Sequence, residues 1–499
     1  MVVNSERFRQ RFAQVLSSGW RGCLLAVLMG LLIGILVVSP RSKLPILGLT
    51  AGVTGLFFWL YQPVRISVYR VEKICCYLTF ITGFFGVALF PIDIGQFTLF
   101  PYRIFLSLLW SLFVARLLIQ GHLVVPLGGV KLYMAFFGIW LSYAVVSLGW
   151  AAYKVGAIRH TIFLFMGASL IFFAVYYFQS DRDLQNLYWV WLTAFFSLLL
   201  LGFWEHLTGQ HLPVSGYNEE RLSALAYHVR ADVMYRPTGV FKNPNDYATF
   251  LSFCIPFALG TARYAGSSLA RLAGIGSAFA AFYLIVVTGS RANILAVLLV
   301  VAFLCLFLTN SKQKAKVAFA LAVCVTMAII VFPVYLKEFF SKVITQLGSI
   351  VVKAGLEKGS VAVRANLVRN GLTFLYSTAG FGVGAGNAEY WMANFAQHET
   401  GGILNPHNWW LEILINYGIF VFVGYVAVYI SIVWRLWRSW HEVVDHKEYM
   451  IVESLLLSLI GFSVASLSSS SIMAFNPEWM LFAFALAFLN RKKSNMGWI

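Results

Sequence analysis

Apolar windows recur along the 499 residues at roughly 22–38, 44–61, 74–91, 98–117, 127–149, 160–178 and 186–203, then at 246–262, 272–288, 292–309 and 317–334, and finally at 410–433, 451–469 and 477–490. A hydrocarbon core about 30 Å thick takes about 20 residues of helix, so each window is long enough for a span or nearly so. The pattern predicts an all-α, polytopic integral membrane protein with about 14 transmembrane helices and 12 as the lower count. Short hairpins lie at 92–97 and 288–292. Two polar stretches interrupt the series: a first outer loop at 204–245 and a large outer loop at 335–408. Both far exceed the usual connection of about 4 to 6 residues, which marks them as functional caps or disordered loops. No internal repeat emerges, and the low-complexity signal is confined to the small-residue run Ser466–Ser471, so residues 1–499 read as a single integral domain.

Composition agrees: 60% of the chain is hydrophobic, 11% is charged and the mean hydropathy is +0.77. Those values exclude a water-soluble domain, a disordered chain and a disulfide scaffold. The formal charge of +17 divides by side of the membrane. Arg65, Arg70 and Lys73, Arg116 with Lys131, Arg263 with Arg271, Lys312 to Lys316, Arg435 with Arg438, and Arg491 to Lys493 fall on one parity, which the positive-inside rule assigns to the cytoplasm together with both termini. Arg41 with Lys43, and Lys154 with Arg159, break that parity. The assignment puts 204–245, 288–292 and 335–408 outside and removes the need for a nucleic-acid partner. Cys23, Cys75, Cys76, Cys254, Cys305 and Cys324 lie in or beside apolar stretches and read as small buried hydrophobes.

The rare outer polar residues carry the chemistry. In YRPTGVFKNPNDYATF, Tyr235 to Phe250, Pro237 and Gly239 impose a turn and Pro244 opens a helix that Asn245 or Asp246 can cap. Arg236 and Lys242 there suit either lipid headgroups or an anion-binding shelf at the helix N-terminus. TGSRANI, Thr288 to Ile294, places Arg291 in a tight polar turn with Ser290 as N-cap, where the guanidinium either snorkels or holds a phosphate in bidentate fashion. Arg364 and Arg369 stand five apart, about 140° on a helix, and need not share a target. The glycine-rich run Gly380–Asn387 lacks the lysine ending of a phosphate-binding P-loop and reads equally as a flexible connection. In NPHNWWLEILINYGIF, Asn408 caps an apolar helix, Trp409 and Trp410 suit the headgroup level, and His407 is placed to accept a proton from a sugar hydroxyl. Asp246, Glu389 and Glu412 are reserve acids or bases, with an internal ion pair competing for Glu412. His206, His211 and His228 lack metal-site spacing, so neither metal nor cofactor is expected. The Gly-x-Ser-x-Gly elbow, dinucleotide and kinase patterns are missing too.

These stations together resemble the O-antigen ligase and O-antigen polymerase superfamily of bacterial membrane enzymes, over roughly residues 190–435. They are Arg236 in RPTGVFKNPNDYA, Arg291 in TGSRA, Arg364 ahead of GVGAGN, and His407 in PHNWWLE; Ala292 stands where members commonly carry glycine. Size and character are similar to a teichuronic-acid-type branch in a Gram-positive bacterium. The resemblance implies a polyprenyl-diphosphate-linked glycan as donor, a second glycan or another envelope component as acceptor, and transfer at the outer face of the cytoplasmic membrane. It implies diphosphate binding by Arg236 and Arg291, acceptor activation by His407, a substrate or structural role for Arg364, and envelope polysaccharide export machinery as a partner. A lipid-linked glycan transporter and a non-catalytic assembly scaffold are the competing classes. A transporter would place its polar sites near the bilayer midplane, whereas these gather at one mouth.

Overall fold

The computed structural model describes residues 67–94, 97–121, 125–224, 227–309, 341, 360–470 and 472–495. The windows at 22–38, 44–61 and 317–334, with Cys23 and Cys324, lie outside them. Each of the other eleven windows is a helix, as patterned, and the chain divides into two compact units, Met1–Pro126 and Leu127–Ile499.

In the first unit, α1 (Val68–Phe85) and α2 (Pro101–Gln120) pack together and are joined by the antiparallel hairpin β1 (Ile92–Ile94) and β2 (Phe97–Leu99). Buried Glu72 of α1 accepts from Arg116 Nε of α2 at 2.8 Å to both carboxylate oxygens, so the charge is paired rather than orphaned in the helix pair.

The second unit holds α3 (Lys131–Ser147), α4 (Lys154–Tyr177), α5 (Asp181–Thr208), the short α6 (Glu219–Ser223) and α7 (Tyr227–Val233), α8 (Pro244–Tyr264), α9 (Ser268–Thr288) and α10 (Arg291–Phe307). It continues with α11 (Ser360–Ser377), the short α12 (Ala388–Asn394), α13 (Trp409–Glu442), α14 (His446–Ala465) and α15 (Asn476–Asn495). Among the described residues of the chain, seven helices are long and apolar enough to cross a membrane, and α3 and α10 are shorter apolar helices. This is a multi-pass, all-α membrane protein.

Helix α8 is the central post, packed between α9 and α14, while α14 also meets α10 and α15 lies along α4. Small residues permit the close crossings. A Cβ on Gly274 of α9 would lie 2.6 Å from the Ala258 carbonyl oxygen of α8, and one on Gly260 would lie 2.4 Å from Ser454 Oγ of α14. Pro256 interrupts the ladder of α8, and the hydroxyls of Ser454 and Ser458 on α14 donate to the Pro256 and Phe253 carbonyls at 3.1 and 2.7 Å. A bilayer offers no water for those groups, so the neighbouring helix satisfies them.

Two expectations change. Helix α13 runs to Glu442 and not to 433, and it is broken at Gly418, whose φ of 78° is open to glycine. Trp409 does not sit at the headgroups. It is 1% exposed, donates to Tyr425 Oη at 2.8 Å and joins Trp140, Tyr425 and Trp479 in an aromatic cluster from α3, α13 and α15. Its indole N–H finds a partner inside the bundle and has no need of the interface.

Gly274→Val should drive α9 off α8 and destabilise the detergent-solubilised protein by about 1–3 kcal/mol, read as a lowered thermal midpoint. Gly276→Val, where a Cβ meets nothing within 4 Å, should leave the midpoint unchanged.

Candidate functional site

The segment between α5 and α8 is folded around a buried carboxylate. Glu205, at the end of α5, accepts from the backbone N–H groups of Thr238 and Gly239 at 2.7 and 2.6 Å. His211 meets the same carboxylate at 3.4 Å and the Met234 carbonyl at 2.8 Å, and His206 bridges the Tyr235 carbonyl and Tyr283 Oη, each at 2.9 Å. Those contacts fix the turn that carries Arg236. Glu205 was legible in sequence only as one acid among scattered histidines; its role depends on a turn 33 residues downstream in the chain. Burial alone would lower the proton affinity of His211, but its bonds to Glu205 and the Met234 carbonyl outweigh that and raise its pKa above the usual 6.5.

Beyond the turn, Pro244 sits in the first turn of α8 and Asn243 is the N-cap, its side chain accepting from Asp246 N–H at 2.9 Å, so the cap is neither Asn245 nor Asp246. Ser290 holds the N-cap position of α10 but makes no side-chain cap bond; its hydroxyl accepts instead from Asn293 Nδ2 at 2.9 Å. Asn293 is fully buried, and its amide also reaches Thr249 Oγ1 of α8 and Ser468 Oγ, both at 3.2 Å, while Ser252 Oγ donates to its Oδ1 at 3.1 Å.

The result is a pocket of about 200 Å³ whose walls include Arg236, Arg291 and Arg364, with Tyr217, Asn245, Ser290 and Ser468. Three guanidinium groups thus share a small cavity whose described lining contains no carboxylate. Desolvation first, and then the charge of Arg291, lower the proton affinity of Arg364. Such mutual repulsion is what a multivalent anion relieves.

His407 stands beside this pocket with a φ of 46°, a left-handed conformation uncommon outside glycine. Its N–H donates to Asn405 Oδ1 at 2.8 Å, and Asn405 Nδ2 donates to Glu389 Oε1 at 2.7 Å. Burial, followed by Arg364, pushes the imidazole pKa below 6.5, against Asp246, a hydrogen bond to the Ser469 backbone and Glu389, which raise it. The ring is therefore neutral near pH 7 and able to accept a proton.

The remaining candidates separate. Asp246 accepts from Asn243 Nδ2 at 2.7 Å and from Ser470 N–H at 2.8 Å, which anchors the α14–α15 loop. Glu389 is exposed and positions Asn405. Glu412 faces into the bundle, 3.2 Å from His160 Nε2, while His160 Nδ1 meets Tyr417 Oη at 2.7 Å. Lys242 is exposed and outside the pocket lining; its carbonyl accepts from Gly216 N–H at 2.7 Å. Arg369 is also outside the lining, as the 140° separation allowed.

The glycine run is neither a phosphate loop nor a flexible connection. Val383 and Gly384 donate to the Ile415 and Asn416 carbonyls at 2.8 and 3.1 Å, Ile419 N–H returns to the Gly380 carbonyl at 2.9 Å, and Val383 and Ala385 are fully buried. Gly382 has a φ of 80°, and a Cβ there would lie 2.5 Å from Gly418 N. The run is a wedge seated in the break of α13. Lys154 Nζ donates to the Leu148 and Gly149 carbonyls at the end of α3, where a cation meets the free helix carbonyls.

Residues 276–426 match the family model described as O-antigen ligase. That stretch contains Arg291, Arg364 and His407, whereas Arg236 and the α14–α15 loop lie outside the matched residues. The chain is also similar to the teichuronic acid biosynthesis protein TuaE of Bacillus subtilis (strain 168), with 28% identity over 438 residues, 87% of this chain and 88% of that protein.

Glu205→Gln should bring the His211 pKa down, measured by NMR titration of labelled histidine. The sign follows from the raised folded value: the His211–Glu205 pair stabilises fully below about pH 6.5 and loses its contribution as pH rises through the folded pKa, so the substitution should flatten that dependence.

Proposed function

We propose that the protein transfers a saccharide from a polyprenyl diphosphate to a hydroxyl acceptor at the outer face of the bacterial cytoplasmic membrane, as a polymerase or ligase of cell-envelope polysaccharide. The match of residues 276–426 to the O-antigen ligase family model and the similarity to a teichuronic acid biosynthesis protein support the class. The observation that carries the reaction is the convergence of Arg236, Arg291 and Arg364 on one small pocket with a neutral imidazole beside it.

In this reading the acceptor hydroxyl attacks the anomeric carbon, its proton passes to His407, and the carbon–oxygen bond to the diphosphate breaks with the electron pair leaving on the phosphate oxygen. The arginines are already aimed where that charge grows, so they stabilise the transition state more than the ground state. Single displacement inverts the anomeric centre. The partners are the lipid-linked donor, a second glycan or envelope acceptor, and membrane lipids around the polyprenyl tail. Arg263, Arg271, Arg435, Arg438 and Arg491 lie at the opposite ends of their helices from the pocket, which supports a cytoplasmic assignment for that end and an outer one for the site.

Reconstitution with a lipid-diphosphate-linked glycan, with and without a second acceptor, tests the proposal. Long repeats from one donor indicate a polymerase, a single transfer to a different acceptor indicates a ligase, and no transfer by folded protein refutes it. Loss of a general base costs roughly 10² to 10⁴ in rate, so His407→Ala should lose that much turnover while inserting normally, and Arg291→Ala should lose turnover alongside it. Activity should fall as pH drops through a value below 6.5, because His407 must be neutral. Arg364→Gln removes the cation that disfavours imidazolium and should move that acid limb to higher pH.

A further inference from the structure

The loop between α14 and α15 lies beyond the matched O-antigen ligase residues, and its serines read in sequence as a low-complexity run. In the fold each of its turns touches the site. The Ser466 carbonyl accepts from Trp409 N–H at 3.0 Å, two residues past His407. Ser468 lines the arginine pocket. The Ser469 backbone hydrogen-bonds the His407 ring. Ser470 donates through N–H and Oγ to the two oxygens of Asp246 at the head of α8.

The contacts of Ser468 Oγ are long: 3.2 Å from Asn293 Nδ2, 3.3 Å to the Ala465 carbonyl and 3.4 Å from Ser290 Oγ. Its proton is weakly committed, while Asn293 serves its lone pair, so the hydroxyl can turn to an anion at small cost. Next to it the Ser469 hydroxyl is buried and, like that of Ser466, has no hydrogen-bond partner among the described residues. The Ser466 bond to Trp409 N–H brings this backbone alongside His407, where the Ser469 carbonyl can accept from a ring N–H, a contact of the kind that raises the basicity of an imidazole. A neutral imidazole that donates through one nitrogen presents its lone pair on the other.

We propose that residues 466–470 form a functional wall of the transfer site, in which Ser468 donates its hydroxyl to a phosphate oxygen of the donor and the Ser469 carbonyl, held in place by the Ser470–Asp246 anchor, fixes the His407 tautomer that accepts the acceptor's proton. Ser468 is then a binding residue, and Ser470 is a positioning residue acting through the loop. The proposal rests on the transferase reading for its kinetics but not for its binding and tautomer readouts.

The test uses the full chain in lipid with three variants. Losing one hydrogen bond to a charged ligand weakens binding by about tenfold or more, so Ser468→Ala should raise KM for the lipid-diphosphate donor by about that factor with kcat little changed, and Ser468→Thr, which keeps the hydroxyl, should restore it. Ser470→Ala should lower kcat with KM preserved, and ¹⁵N NMR of the His407 ring should change from one tautomer to a mixture. Kinetics within about twofold of wild type for both alanine variants, less than the loss of one hydrogen bond, would overturn the proposal. If the wild type transfers nothing from any lipid diphosphate, the transferase reading fails by itself. The wall is then judged by inorganic pyrophosphate titration and the ring spectrum: weaker binding by Ser468→Ala with a tautomer mixture in Ser470→Ala upholds it, and wild-type behaviour in both refutes it.

Discussion

A single buried side-chain amide governs the mouth of this bundle. Asn293 has no access to solvent, and its amide hydrogens and oxygen are met by hydroxyls from α8, from the start of α10 and from the α14–α15 loop. A buried polar group without partners costs far more than a satisfied one gains, so the three elements are compelled to meet where the amide is. Arg291 lies two residues before Asn293, Asn245 precedes Thr249 on α8, and Ser468 is itself a partner. The walls at Asn245, Ser290, Arg291 and Ser468 are therefore placed by one interior bond network, while the Glu205 contacts place the turn of Arg236.

A second constraint acts on the other flank. The break at Gly418 frees backbone groups in α13, and the glycine run 380–386 supplies partners for them. Positive φ at Gly382, Gly384 and Gly386 lets the run press against α13, Ala151 and His160 with no room for a Cβ. This seats α12, and with it Glu389, which reaches Asn405 and so the backbone of His407. The strained φ of His407 is held by that chain of contacts together with the Asn408 cap of α13. Glycine content that looks like a phosphate loop in sequence here serves packing.

Charge is distributed to match. Buried carboxylates at Glu72 and Glu453 are paired with Arg116 and Arg263, and Glu205 receives backbone N–H donors. The pocket brings three guanidinium groups together, and the lowered proton affinity of Arg364 reflects its burial first and the nearby charge of Arg291 second.

The all-α, multi-pass architecture was legible from hydrophobic windows, because a bilayer imposes one length and one composition on every span. Arg236, Arg291, Arg364 and His407 were legible because charge is rare in so apolar a chain. Their assembly was not. Arg236 and Arg364 are 128 residues apart, and no local pattern encodes a shared cavity. Nor could spacing separate Glu412, committed to His160, from Glu389, committed to the His407 loop, since both are acids near one histidine in sequence. Glu205 and the 466–470 loop carried weaker signals still, because a buried carboxylate and a run of serines acquire meaning only from the backbone groups they meet. The sequence by itself determined the membrane and the inventory of polar groups, through composition and period. Only the tertiary structure decided which of those groups face one another, because that depends on interior hydrogen bonds between segments distant along the chain.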